Sequence, residues 1–266
     1  WTAMTKPVPA EWTKHRAMWI GFPSHAELWQ EDLAEAQAEV AALVRALATV
    51  GGETVRLLVH GGDALAAARG RLGDLPGVDF VAGRFGDIWL RDTGPIVVGD
   101  RAVGFRFNGW GGKYVLPHDD TVSRQIADHA RLSLEAHDFV LEGGALDHDG
   151  EGTILTTRQC LLNPNRNPGW QAADAEAALT TALGAAKVLW LGDGLENDHT
   201  DGHVDNLARF VGPGVVACPV AFGDDDPNTA VYDETARLLA RMTDATGRAL
   251  KVVRIPSPGR IENEDG

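Results

Sequence analysis

Cysteine is scarce in this chain of 266 residues: Cys160 and Cys218 are the only two. Two thiols are too few for a disulfide scaffold, and no secretory signal is visible, so a cytoplasmic home is expected. Trp1, standing where an initiator Met would be, leaves room for a removed leader. Basic residues are also in deficit, 24 against 38 acidic, for a net charge of −14. That balance argues against nucleic acid and anionic membranes as partners, because both are polyanions. It is consistent with a small cationic substrate, although a solvated acidic surface is the commoner cause. Long hydrophobic runs are absent, and none approaches membrane-spanning length. What is left, 44% hydrophobic and 23% charged residues, is the composition of a soluble globular chain with room for a sizeable core.

Apolar periodicity predicts an alternation of strands and helices. Met18–Phe22, Val55–His60, Phe139–Leu141, Lys187–Leu191, Leu207–Val211, Val215–Pro219 and Lys251–Ile255 read as strands. Leu33, Ala36, Val40, Leu43, Val44 and Leu47 recur at helical spacing, and Gly51-Gly52 stops that helix. Further helices are expected over 64–72, 122–134, 172–183 and 229–242. Ile96–Val98 and Val103–Phe107 pair as a hairpin across Gly99-Asp100, and Ile154–Thr157 is expected to pair back onto the strand at Phe139–Leu141. Phe85 to Leu90 reads as a strand ending in the charged corner Arg91-Asp92. Asn163 to Pro168 can only be a loop.

A repeat runs through this pattern. Asp92, Glu142 and Asp193 each follow an apolar stretch beside glycine, and they are 50 and 51 residues apart. Such a period indicates stacked or radially arranged units of one supersecondary type, aiming acidic corners at a common centre. An ordinary α/β sheet with evenly spaced loops is the plainer alternative.

The densest concentration of chemistry is Asp198-His199-Thr200-Asp201-Gly202-His203-Val204-Asp205. If its last three residues are extended, His203 and Asp205 share a face, an acid or base beside an anion. His199 and His203 also have the spacing of metal ligands on a helix. In extended chain, however, they stand roughly four steps of 3.3 Å apart, too far to share a zinc ion. A metal-dependent hydrolase built on these histidines is therefore the rival reading. Asp92 alone reads as a turn aspartate, and Trp89 and Trp110 read as packing aromatics beside glycine corners where a cation could lie against indole. Cys218 sits in an apolar strand, and Cys160 is a little more exposed in principle. Neither lies where a thiolate would be stabilised.

Four segments in order, Trp89-Leu90-Arg91-Asp92-Thr93-Gly94-Pro95, Asn108-Gly109-Trp110-Gly111-Gly112-Lys113, Leu141-Glu142-Gly143-Gly144 and Thr200-Asp201-Gly202-His203-Val204-Asp205, closely resemble the bacterial family of agmatine deiminases and peptidylarginine deiminases. The resemblance implies an α/β pentein fold, a five-bladed pseudo-symmetric propeller, here as one catalytic domain over 1–266 with an incomplete last blade. It implies hydrolysis of a guanidinium to a ureido group and ammonia through a cysteine amidino-thioester, with no cofactor and no metal. The favoured substrate is agmatine, giving N-carbamoylputrescine for polyamine synthesis; peptidylarginine deimination is the alternative. By motif match, Asp92 and Asp205 clamp the guanidinium and His203 is the general acid/base. Trp89, Glu142 and Trp110 line the substrate pocket. Asp205 is expected to raise the pKa of His203 and keep it protonated. The family's nucleophile lies in a Gly-Gly-Gly-x-x-His-Cys segment, and no such segment occurs here. The chain stops in a polar tail, Arg260 to Gly266, so the expectation is a truncated enzyme, inactive as it stands. A polyamine-binding protein without catalysis is the non-enzyme alternative if the chain truly ends there. A homo-oligomer is admitted by these residues and not specified by them.

Overall fold

The computed structural model describes residues 6–261. The termini, including the tail from Glu262 onward, lie outside the described residues. The twelve strands found among the described residues form four three-stranded sheets, each made of strands consecutive in sequence. The first holds β1 (Met18–Gly21), β2 (Val55–Val59) and β3 (Val78–Ala82), parallel throughout. The second holds β4 (Ile96–Val98), β5 (Arg101–Arg106) and β6 (Ser133–Val140). The third holds β7 (Asp147–His148), β8 (Thr153–Thr157) and β9 (Lys187–Leu191), and the fourth β10 (Arg209–Gly212), β11 (Val215–Val220) and β12 (Lys251–Pro256). In the third and fourth sheets an antiparallel pair is followed by a parallel one.

Parallel pairing dictates the helices, since a parallel neighbour can be reached only by a crossover. Leu33–Thr49 and Gly62–Leu72 link the strands of the first sheet. Ala172–Leu183 links β8 to β9, and Thr229–Leu239 links β11 to β12. Val122–Ala130 stands between β5 and β6. The expected repeat is therefore present as hairpin, helix and third strand in three successive sheets.

The chain divides into two compact units. One comprises 14–95 and 114–133. Its core is hydrocarbon: Phe22, Ala41, Val44, Val55, Leu57, Val59, Ala68 and Leu72 pack together, and Leu58, Phe85, Val122 and Ile126 form a second cluster. The other unit contains the remaining described residues. Its two clusters centre on Leu141, Leu161, Leu179 and Leu183, and on Leu189, Leu191, Leu207, Phe210 and Leu239. Among the described residues, no helix is long and apolar enough to cross a membrane.

Several expectations need correction. Residues 85–95 are not a strand: they form a loop and one helical turn, Leu90–Thr93. The Asp87 carboxylate takes the Ile88 N–H, and the Trp89 carbonyl takes those of Asp92 and Thr93, so the backbone groups a ladder needs are spent locally. β8 pairs with Asp147–His148 rather than with Phe139–Leu141, because Gly143–Ala145 makes a 3-10 turn between them. β3 has no counterpart among the expected strands, because Val78-Asp79-Phe80-Val81-Ala82 is short, half-exposed and broken by an aspartate. The helix at 122 ends at Ala130, where Arg131 turns into the left-handed region (φ 56°). His203-Val204-Asp205 is not extended: Val204–Asn206 is a 3-10 turn.

Candidate active site

The floor of the site is built where three loops of the larger unit meet. The first follows β6 and carries Glu142. The second is the run Asn163 to Pro168 beyond the helical turn Arg158–Leu161, and the third is Asp198 to His203 after β9. Donor atoms of Glu142, Cys160 and His203 lie within 4.8 Å of one another, and all three residues are buried.

Asp198 organises the third loop. Its Oδ1 accepts the Thr200 N–H at 2.9 Å, and its Oδ2 accepts the N–H groups of Gly202 and His203, each at 3.1 Å. That winds the chain around one carboxylate and forces Asp201 and Gly202 to positive φ (64° and 88°). Gly202 is also required by space, because a Cβ there would stand 2.6 Å from Gln159 Oε1. The Thr157 hydroxyl at the end of β8 donates to the Gly202 carbonyl at 2.5 Å and fixes the loop to the sheet. His203 follows directly, 2% exposed.

A guanidinium joins the loops. Arg166 donates from Nε to Glu142 Oε1 at 2.7 Å, from Nη1 to Asp201 Oδ2 at 2.7 Å and to Asn165 Oδ1 at 2.8 Å, and from Nη2 to the Thr200 carbonyl at 2.9 Å. The side chains of Arg166 and Glu142 are each 1% exposed. Asp201 also receives Lys113 Nζ at 2.6 Å and Asn165 Nδ2 at 2.9 Å. Asn108 closes the remaining side, donating to the Asn165 carbonyl at 2.9 Å.

The electrostatics follow from burial. Desolvation pushes the pKa of His203 down to about 4. Asp205 and Asp198 pull upward, Arg166 adds to the lowering, and burial wins. The expectation that Asp205 keeps this imidazole protonated is thus overturned, and at neutral pH His203 is neutral. Burial also pushes up the pKa of Asp201, but the Lys113, Asn165 and Arg166 hydrogen bonds outweigh it and hold the carboxyl at about 2. Burial, reinforced by Glu142, raises the Cys160 thiol far above its ordinary range. Cys160 does sit in the first turn of a helix, its N–H on Thr157 Oγ1, contrary to the sequence reading. It remains a buried thiol, not a nucleophile. Cys218 is buried as expected.

Glu142, Cys160 and His203 have metal-ligand chemistry, but Arg166 sets a fixed cation 2.7 Å from the glutamate and opposes a second one. His199 is exposed and belongs to neither group of potential ligands among the described residues, so the His199–His203 pair of the metal reading is not assembled. Asp149, Glu151 and Asp244 form the other group, with Arg248 Nη2 2.8 Å from Glu151. Asp193 lies exposed. Asp205 is half-buried in the 3-10 turn after His203. Trp110 is buried edge-on to Phe107 at 4.9 Å, with φ of 53°.

The smaller unit holds the other two candidates. Trp89 is 52% exposed, its Nε1 donating to Asp87 Oδ2 at 3.0 Å. Asp92 is half-buried in the helical turn that begins at Leu90. Ser123 Oγ donates to the Thr93 carbonyl at 3.0 Å, and Leu90 packs on the cluster of Val122 and Ile126, which fixes this turn.

Asp198 and Lys113 stand in segments the sequence singles out, though without roles of their own, whereas Arg166 was missed. The only signal was an arginine set among asparagines and prolines in a loop, and nothing in that pattern separates a buried guanidinium from a solvated one.

The Porphyromonas-type peptidyl-arginine deiminase family model matches residues 7–266. The chain belongs to this family. It is 41% identical to the agmatine deiminase of Stutzerimonas stutzeri, over 97% of this chain and 72% of that protein. To the agmatine deiminase of Pseudomonas aeruginosa strain LESB58 it is 40% identical, over 96% of this chain and 71% of that protein. The structure superposes on Enterococcus faecalis agmatine deiminase with a TM-score of 0.88 at 32% identity, covering 98% of this chain and 74% of that one. A Campylobacter jejuni agmatine deiminase with a cysteine-to-serine change and substrate bound gives 0.86 at 28% identity, covering 98% and 77%.

Proposed function

We propose that this protein hydrolyses agmatine to N-carbamoylputrescine and ammonia. The observation that carries the reading is 41% identity to an agmatine deiminase along 97% of the chain. The buried imidazole beside a buried carboxylate agrees with it. In this reading Asp92 and Asp205 hold the guanidinium nitrogens, Trp89 and Trp110 line the pocket, and Glu142 contributes a further carboxylate. A guanidinium carbon is a weak electrophile, because its charge is spread over three nitrogens, and paired carboxylates orient it.

The neutral state of His203 sets the order of proton transfers. It accepts the proton of the nucleophilic thiol, which the resemblance assigns to the family's glycine-rich His-Cys segment. The thiolate attacks the guanidinium carbon, and the imidazolium returns that proton to the departing nitrogen, so that ammonia leaves. His203, neutral again, takes a proton from water as the oxygen attacks the amidino-thioester. The C–S bond breaks as the carbonyl forms, the hydroxyl proton passes to the departing thiolate, and His203 gives its own proton to solvent, where ammonia becomes ammonium, so the ureido product leaves and both thiol and neutral imidazole are restored. We read the four sheets as four of the five blades of a pentein propeller, and the cytoplasm as the site of action.

The test is turnover by the full-length protein of agmatine beside a peptide ending in arginine. Ammonia release from agmatine, abolished by iodoacetamide and indifferent to a chelator, is expected. Preference for the peptide would favour peptidylarginine deimination, the activity named in the matching family's description. No turnover of either would favour a polyamine-binding protein.

A further inference from the structure

Arg166 is the most heavily bonded buried cation of the larger unit's site, and nothing in the proposed chemistry uses it. It makes hydrogen bonds to four residues, Glu142, Asn165, Thr200 and Asp201, through all three of its nitrogens. It does so with its side chain 1% exposed. Its neighbours are shaped around it: at Gly111 a Cβ would stand 2.4 Å from Asn165 Nδ2 and 2.7 Å from Arg166 Nη1. The adjacent Asn167 is pinned to the end of β6 by a pair of hydrogen bonds with Val140, 3.0 and 2.8 Å long. The guanidinium is thus anchored from the strand that leads into Glu142.

Cohesion alone does not account for such a group. Burying an arginine carries a large desolvation cost, and an apolar replacement of similar volume is often as stable or more so. A planar fork does something hydrocarbon cannot: it holds two anions from different loops at a fixed distance and angle. Here the two anions are Glu142, beside His203, and Asp201, two residues before it.

We infer that Arg166 is a positioning residue for deimination: it sets the Glu142 carboxylate and the His203 loop in register with each other. This rests on the agmatine reading above. Arg166 touches no reacting atom in that scheme and acts through its two carboxylate partners. Its charge also belongs to the set that surrounds His203, with Glu142, Cys160, Asp198, Asp201 and Asp205, and it favours the neutral imidazole.

The experiment uses the full-length protein and compares wild type, Arg166→Lys, Glu142→Gln and the double variant on agmatine. Lysine keeps the charge but lacks the fork. Misplacement of a catalytic group by about 1 Å costs on the order of 100-fold in rate, so kcat of Arg166→Lys, per folded molecule, is expected to fall by about that factor. Because Arg166 acts in part through Glu142, the double variant should lose less than the product of the two single losses. A kcat for Arg166→Lys within about threefold of wild type, or two effects that simply multiply, overturns the inference. If Arg166→Lys does not fold, Asp201→Asn loosens the same clamp from its other end. A loss of kcat of about tenfold or more supports the inference, and wild-type kcat overturns it. Wild-type protein that leaves agmatine untouched overturns the functional reading as well. Wild type that turns agmatine over while both variants keep pace overturns this inference alone.

Discussion

The sheet β1–β3 and the sheet β7–β9 are both flanked by crossover helices, yet they bury different things. Around β2 the interior is Phe22, Val44, Leu57 and Leu72, with Gln37 as a buried polar side chain whose Nε2 donates to the Pro23 carbonyl. Around β8 the interior includes Thr153, Thr156, Thr157, Asp147, Glu142, Arg166, Asn167 and His203. A hydrocarbon interior is held by area and volume, and no single contact is indispensable. A polar interior is held by partners, and each one removed leaves a desolvated group behind. The first kind of region makes a scaffold, and the second makes a site.

That contrast can be broken or sharpened by experiment. The largest effect should come from His203→Asn, which keeps the shape and removes the proton relay. Turnover should drop by about 100-fold to 10,000-fold with little change in melting temperature. Retention of most activity in the full-length protein would refute the assignment. Next in size is Glu142→Ala. It strands the Arg166 cation, and urea unfolding should show a loss of about 3–5 kcal/mol. Leu57→Ala in the hydrocarbon region should cost about 2–5 kcal/mol through cavity formation, while kcat per folded molecule is preserved. Equal loss of kcat in the two alanine variants would erase the distinction between scaffold and site.

A smaller effect concerns pH. His203 has a folded pKa of about 4 against an ordinary 6.5, so the unfolded chain binds the extra proton between those values. Its contribution to stability is complete above pH 6.5 and is lost as pH falls toward 4. Asp201, held at about 2 against an ordinary 3.8, adds stability that is lost below pH 3.8. Asp147 runs the other way. Burial lifts it to about 6 against the pull of Arg209, so its contribution is present in acid and is lost as pH rises from 3.8 to 6. Denaturation curves of wild type and His203→Asn should therefore differ in slope between pH 4 and 6.5, wild type losing more stability on acidification. Parallel curves would show that the imidazole is solvated. The smallest stability effect belongs to Trp89→Ala, because the side chain is half-exposed: within about 0.5 kcal/mol of wild type. If the indole lines the pocket, KM for agmatine should nonetheless rise by about tenfold.

Much of the scaffold was legible in advance. The helix Ala172–Leu183 and the strand Lys187–Leu191 stand where the apolar spacing placed them, and the hairpin of β4 and β5 turns at Gly99-Asp100. Two of the failures share one cause. At 85–95 and at 203–205 side-chain and carbonyl groups captured backbone N–H groups that an alternating pattern assigns to a ladder. The His203 charge state failed for a related reason: sequence shows the neighbouring Asp205, whereas burial, the stronger effect, depends on what folds over the ring.

By itself, then, the sequence determined the succession of strands and crossover helices, the family, and the set of acidic and imidazole side chains from which a guanidinium site is drawn. Periodicity and motif are local properties, and the chain carries them in any conformation. The tertiary structure decided which of those groups lose their water and which bind each other. Arg166 meets Glu142 across 24 residues and Asp201 across 35, and only folding creates that proximity and the low dielectric that gives it force.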